Sequence, residues 1–228
     1  MLQTNYQDKT LGYSALEKTD IEAIHEKTLE IMGDHGVCVF GDEAQGILEG
    51  AGCTIDRERG LVKFPEALVN DSIEAAPEEF TMCGQDPAKD VTVGKDAVTF
   101  TTFGTGTTIV DPYTGERRDT TVKDLETITR FSDAIDEVDT FTIAVAAQDV
   151  TPEIKELYEG EAVLNNTRKH FGHDTEGAAN TRRFIRMAAA VAGGEDKLRE
   201  RPIISLGACP NSPLEIHEAA GEQIIEAA

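Results

Sequence analysis

The feature that most constrains this chain is an alternation, running from Thr121 to Ala228, of amphipathic helical stretches with short apolar ones. "TVKDLETITRFSDAID" carries apolar residues at helical spacing, "DTFTIAVAAQDV" reads as a buried strand and "EIKELYEGEAVLNN" as a helix. Next come "KHFGHD" as a short strand, "GAANTRRFIRMAAAVAGGEDKLRER" as one long helix, "PIISLGACP" as a strand and "SPLEIHEAAGEQIIEAA" as a last helix. Buried strands separated by helices predict a parallel α/β sheet, either a (β/α)8 barrel or an open doubly wound sheet. Polar residues gather at the carboxyl ends of the expected strands, at Gln148-Asp149, His173-Asp174 and Cys209-Pro210-Asn211, where both architectures place their sites.

The first half has a different rhythm. Residues 1–14 read as a loose arm, and "KTDIEAIHEKTLEIMGDHG" then predicts a helix. Thr19 and Glu22 suit a capping box, Ile21, Ile24, Thr28 and Ile31 form one stripe, and Gly33 or Gly36 ends it. "VCVF" and "LVKF" read as strands, "DEAQGILEGAGC" as a helix stopped at Gly50 or Gly52, and "PEALVNDSIEAAP" as a helix with Pro65 near its first position. From Thr81 to Arg118 β-branched residues dominate, and Asp111-Pro112-Tyr113-Thr114-Gly115 predicts the turn of a β-hairpin. The expected organisation is an arm over 1–14, an α/β region with a hairpin over 15–118, and the first β/α units of a barrel over 119–228. Those units are too few for eight strands, and the apolar rhythm persists to Ala228, so the chain is expected to be the front part of a longer protein.

Charge narrows the partners. Forty-three acidic residues against 21 basic ones give a formal charge of −22, which repels phosphate backbones and anionic lipid, so neither nucleic acid nor a membrane surface is an expected partner. The acidity follows helical faces, as solvated surface does, and salt would screen its self-repulsion, which suggests a salty host interior. No apolar run approaches the roughly 20 residues of a membrane span, and "MLQTNYQDKT" lacks the marks of a signal peptide, so a cytoplasmic location is expected. Cys38, Cys53, Cys83 and Cys209 form no C-x-x-C pair and read as isolated small residues.

The most provocative stretch is "RKHFGHDTEG", with His170 and His173 three positions apart. Neutral imidazole is the commonest metal-binding side chain, but residues three apart on a strand face opposite ways, and no spacing supplies further ligands. A metal is therefore not expected; the two rings read as hydrogen-bonding strand-end residues or as pocket wall. Asp149, Asp174 and Asn211 could hold a cation or act as a base, although Asp174 and Asn211 also precede helices and suit N-caps. In "FGTGTT" the pair Gly104 and Gly106 lacks the third glycine and the helix of a dinucleotide site; it reads as a strand end that another backbone or a ligand approaches closely. His25, His35 and His217 read as solvated.

Several stretches, "IHEKTLEIMGDHGV", "ILEGAGCTIDRERGLVKFPEALVNDSIEAAPEEFTMCGQDP", "TFTTFGTG", "TFTIAVAAQDV", "NTRKHFGHD" and "RPIISLGACPNSPLE", follow one another in an order that resembles the trimethylamine methyltransferases and their relatives, which demethylate tertiary or quaternary amines such as glycine betaine. The resemblance implies a (β/α)8 barrel that passes a methyl group to the reduced cobalt of a corrinoid held by a partner protein. It also implies no cofactor on the chain itself and a homo-oligomer at full length. A cationic amine fits an acidic mouth with aromatic faces. Phe103, Gly104, Gln148, His170, Phe171, His173 and Asn211 are the substrate-binding residues the resemblance suggests. The pyrrolysine thought to take part in transfer would lie beyond Ala228, so no catalytic residue is assigned. Gly172 departs from the family pattern, in which the trimethylamine enzymes carry a histidine, and so argues against trimethylamine as the particular substrate. Two rivals are a non-catalytic α/β module for a small cationic metabolite and a metal-dependent barrel enzyme using His170 and His173.

Overall fold

The computed structural model describes residues 15–94 and 97–228, so the expected arm over 1–14 lies outside the described residues. Two compact units emerge: the first runs to Glu78 and takes in Gly94–Ala97 and Cys209–Ile225, and the second comprises Glu79–Val93, Val98–Ala208 and Glu226–Ala228.

The first unit opens with α1 (Lys18–Glu30). Asp20 accepts a hydrogen bond from the Glu17 amide at 3.0 Å, so the cap lies ahead of the expected Thr19–Glu22 pair, which falls inside the first turns. A π-helical turn (Ile31–His35) follows and Gly36 ends it at φ 82°; a Cβ there would stand 2.7 Å from the Val62 carbonyl oxygen, so both conformation and space call for glycine. The expected apolar stripe is present but not covered, since Ile21 and Ile24 are 55% and 56% exposed. Then come β1 (Val37–Val39), α2 (Asp42–Gly50), β2 (Thr54–Asp56), β3 (Leu61–Lys63) and α3 (Glu66–Ala75). Val39, Cys53 and Val62 form the core, with Leu48, Ile55, Phe64 and Leu68 against it. The buried Gln45 amide donates to the Val39 carbonyl at 2.8 Å and so avoids the cost of an unpaired polar group. The sequence reading missed β2: its three residues include only one apolar side chain, and its place comes from antiparallel pairing with β3.

The second unit begins with β4 (Glu79–Met82) and β5 (Val91–Gly94), which pair, and with the expected hairpin of β6 (Thr108–Val110) and β7 (Arg117–Asp119). Asp111 makes the turn by accepting from the Tyr113 and Thr114 amides at 3.0 and 3.1 Å, and Arg118 clamps Asp111 to Asp124. After it come α4 (Val122–Ala134), with a Thr121–Asp124 capping box, then β8 (Phe141–Thr142), α5 (Lys155–Leu164), β9 (Phe171–His173), α6 (Gly177–Ala192), α7 (Glu195–Glu200) and β10 (Ile204–Leu206). The single long helix expected after residue 176 is two, because Gly193 and Gly194 at φ 90° and 135° leave the helical region. The strands β8, β9 and β10 form a parallel sheet in chain order, with Phe141 beside Phe171 and Phe171 beside Ile204. Leu125, Phe141, Val163, Phe171 and Phe184 fill the layer between this sheet and its helices. Lys169, only 1% exposed, sets its ammonium 2.7 and 2.6 Å from the Ser132 and Ile135 carbonyls, which also accept from the Ile135 and Val138 amides at 3.3 Å each.

The chain then returns to the first unit with β11 (Glu215–Ile216) and α8 (Glu218–Ala227). The expectation of one helix over 212–228 is corrected here. The Cys38 and Phe40 amides of the β1 edge bond the Leu214 and Ile216 carbonyls at 2.9 and 3.0 Å, which draws this stretch into a parallel strand before the helix starts. The resulting sheet has the order β11-β1-β3-β2; no sheet among the described residues closes into a barrel. Among the described residues no helix is long and apolar enough to cross a membrane.

Candidate functional site

Side chains alternate across a strand, so Phe171 and His173 share one face of β9 and Gly172 takes the other. The first face is packed. The Phe171 ring lies 6.1 Å from Phe141 and 5.8 Å from Phe184, and the His173 ring stacks on Phe171 at 5.3 Å and meets Phe184 edge-on at 5.3 Å. Phe171 is fully buried and His173 nearly so. Both rings lie in the layer between the sheet and α6.

The second face is small and polar. Gly172 lies in register between Thr142 and Ser205, and a Cβ on it would stand 3.2 Å from Thr142 Oγ1 and 3.4 Å from Ser205 Oγ. Thr101 Oγ1 lies 2.9 Å from Thr142 Oγ1 and extends the row of hydroxyls. A histidine at 172 would have to displace these groups, which is why glycine suits this face. Asp174, the next residue on the same side, is exposed, and its Oδ1 occupies the space that a side chain at Gly207 would need.

The segment carrying Gly104 and Gly106 runs beside the extension of β8: the Gly106 amide donates to the Ala144 carbonyl at 3.0 Å and the Ala146 amide to the Gly106 carbonyl at 2.9 Å. The glycines thus serve a close backbone approach. Phe103, 91% exposed, encloses nothing, and Gly104 is exposed beside it. The Gln148 amide donates to the Thr120 carbonyl at 2.8 Å and its Nε2 to the Ala146 carbonyl at 2.9 Å, which leaves the exposed residue anchored at the strand end. Asp149 accepts from the Val122 amide at 2.9 Å, at the start of α4. Asn211 belongs to the first unit, where its backbone exchanges two hydrogen bonds with Glu215 at 2.7 and 3.0 Å.

The histidines diverge. His170 Nδ1–H donates to the Cys83 carbonyl at 3.0 Å, while His173 Nε2–H donates to the Glu156 carbonyl at 3.1 Å. Burial lowers the pKa of both, that of His173 to about 4, so both are neutral at pH 7. Among the described residues no group of three or more His, Cys, Asp or Glu could hold a metal ion.

One group that the sequence reading passed over is Glu159. It is 3% exposed, its Oε1 accepts from the Ala147 amide at 2.7 Å, and its Oε2 lies 3.9 Å from His173 Nε2. Burial pushes its carboxyl up to about 7, against the pull of the Ala147 amide and of Lys155, whose Nζ is 3.9 Å away. Its signal in the sequence was its place on the stripe Glu159, Ala162, Val163 of α5, an acid on an apolar face. Glu156, one turn earlier, is half-buried and its pKa is likewise raised by burial.

Residues 3–228 match the family described as trimethylamine methyltransferase. This chain belongs to the trimethylamine methyltransferase family. Among its curated relatives, the trimethylamine methyltransferase of Desulfitobacterium hafniense is 42% identical over 217 residues, covering 95% of this chain and 44% of the relative. That of Methanosarcina barkeri is 33% identical, covering 92% and 43%. A glycine betaine methyltransferase of Desulfitobacterium hafniense is 25% identical over 84% of this chain and 40% of its own length. The chain therefore spans less than half the length of the trimethylamine methyltransferase family members it matches.

Proposed function

We propose that this chain is the N-terminal part of an enzyme that takes a methyl group from a methylated amine, either trimethylamine or a quaternary amine such as glycine betaine, and transfers it to the cobalt of a corrinoid held by a partner protein. The observation that carries the reading is the family match over residues 3–228. The second unit lends support. Its strands β8, β9 and β10 follow one another in parallel with α5 and α6 on one face, the arrangement with which a (β/α)8 barrel begins. In such a barrel the hydroxyl row around Gly172 would face inward and Gln148 and Asp174 would stand at the mouth.

His170 and His173 each give one ring nitrogen to a main-chain carbonyl, and their other nitrogens, His170 Nε2 and His173 Nδ1, are buried without a partner among the described residues. A corrinoid carried by the partner would supply a nucleophilic cobalt when bound. This chain's own part is to hold and orient the amine. Asp174 attracts a cationic nitrogen to the mouth. A quaternary nitrogen loses its positive charge as the methyl group leaves. A carboxylate contact therefore holds the ground state more than the transition state, and acceleration must come from alignment and exclusion of water.

The test uses the product of the complete gene with a reduced corrinoid protein, and follows the corrinoid spectrum after adding trimethylamine or glycine betaine. Methylation of cobalt with either amine is expected. Binding without transfer would favour the cation-binding module.

A further inference from the structure

We infer that Glu159 is a positioning residue, whose buried carboxyl fixes the end of the β8 strand segment and thereby sets the mouth residues Gln148 and Asp149. The inference rests on the methyltransferase reading above, for which these residues border the substrate.

Beyond Thr142 the β8 segment continues through Ile143, Val145, Ala146 and Ala147, all buried, before it reaches exposed Gln148 and Asp149. Ala147 is the last buried residue, and its amide has Glu159 Oε1 as acceptor at 2.7 Å. With both partners out of water, no solvent molecule stands ready to replace that acceptor. The helix that carries Glu159 is held in turn. A Cβ at Gly160 would lie 2.7 Å from the Phe184 ring, so α5 approaches α6 as closely as a glycine permits. The groups facing the carboxyl are the Ala147 amide from the β8 segment, His173 from β9, and Lys155 and Glu156 from α5 itself. One side chain thus stands between the ends of two neighbouring strands. Burying a carboxyl is costly, and a leucine would pack here without that cost but would leave the amide unpaired. The arrangement calls for an acceptor oxygen at this reach rather than for a charge.

Two conservative variants of the full-length protein separate reach from charge. Glu159→Gln keeps an oxygen at the same distance, whereas Glu159→Asp keeps the charge but withdraws it by one methylene. With whichever amine the wild type demethylates, E159Q is expected to hold kcat within about threefold. E159D is expected to lose roughly tenfold or more in kcat with little change in KM, as misplacement of a strand end does. Hydrogen exchange at residues 147–149 should quicken about tenfold in E159D and stay unchanged in E159Q. Wild-type exchange in E159D, or an E159Q as impaired as E159D, overturns the inference. If the wild type transfers no methyl group from any amine, the functional reading falls, while the exchange measurement still decides whether Glu159 holds the strand end.

Discussion

His173 and Glu159 sit 3.9 Å apart, and burial displaces both toward their neutral forms. For His173 the folded pKa of about 4 lies below its ordinary 6.5, so its contribution to stability is present above pH 6.5 and is lost as pH falls toward 4. For Glu159 the folded value of about 7 lies above its ordinary 4.5, so its contribution is present below pH 4.5 and is lost as pH rises through 7. Between pH 4.5 and 6.5 the two oppose each other. Replacing Glu159 with glutamine leaves the His173 effect alone, and stability should fall more steeply on acidification than in the wild type. Urea unfolding at a series of pH values measures this, and equal slopes would contradict it. Residue identity alone did separate His170 from His173, because strand alternation sends them to opposite faces. It does not say which face the helices cover; the packing of Phe171 and His173 against Phe184 of α6 becomes visible only in the structure.

At the scale of elements, the parts legible in the sequence are those that local chemistry specifies: the Asp111 turn and the alternation of helices with β8, β9 and β10. The parts that were not legible are specified by distant partners. β2 has its place through β3, and β11 through the free edge of β1. Lys169 belongs to the same class, since a lysine in "RKHFGHD" reads as surface until the end of α4 supplies two carbonyls for it. Replacing it with methionine keeps the stem but removes the charged donor from both carbonyls, each of which keeps one longer main-chain bond, and should lower the unfolding free energy by about 1–3 kcal/mol. Chemical denaturation of K169M tests this, and a variant as stable as the wild type would show that the buried ammonium contributes nothing net.

For the molecule as a whole, the formal charge of −22 is the dominant property. Self-repulsion at that charge should make the melting temperature climb as sodium chloride rises from tens of millimolar to molar, where the Debye length shrinks from tens of ångströms to about 3 Å. A melting temperature indifferent to salt would remove the case for a salt-rich host. Two features of the surface bear on the longer protein that the relatives represent. β10 is an edge strand among the described residues, and a cavity of about 460 Å³ beside it is lined by Leu198, Ile204 and Leu206. Such an edge is where a further parallel strand would pair in a barrel.

The proposed methyl transfer is read from the absorbance of a reduced corrinoid protein mixed with the complete gene product and a methylated amine. Conversion of the reduced to the methylated corrinoid spectrum is expected, dependent on both the enzyme and trimethylamine or glycine betaine. A spectrum that stays reduced with every methylated amine, although the protein is folded, would contradict it.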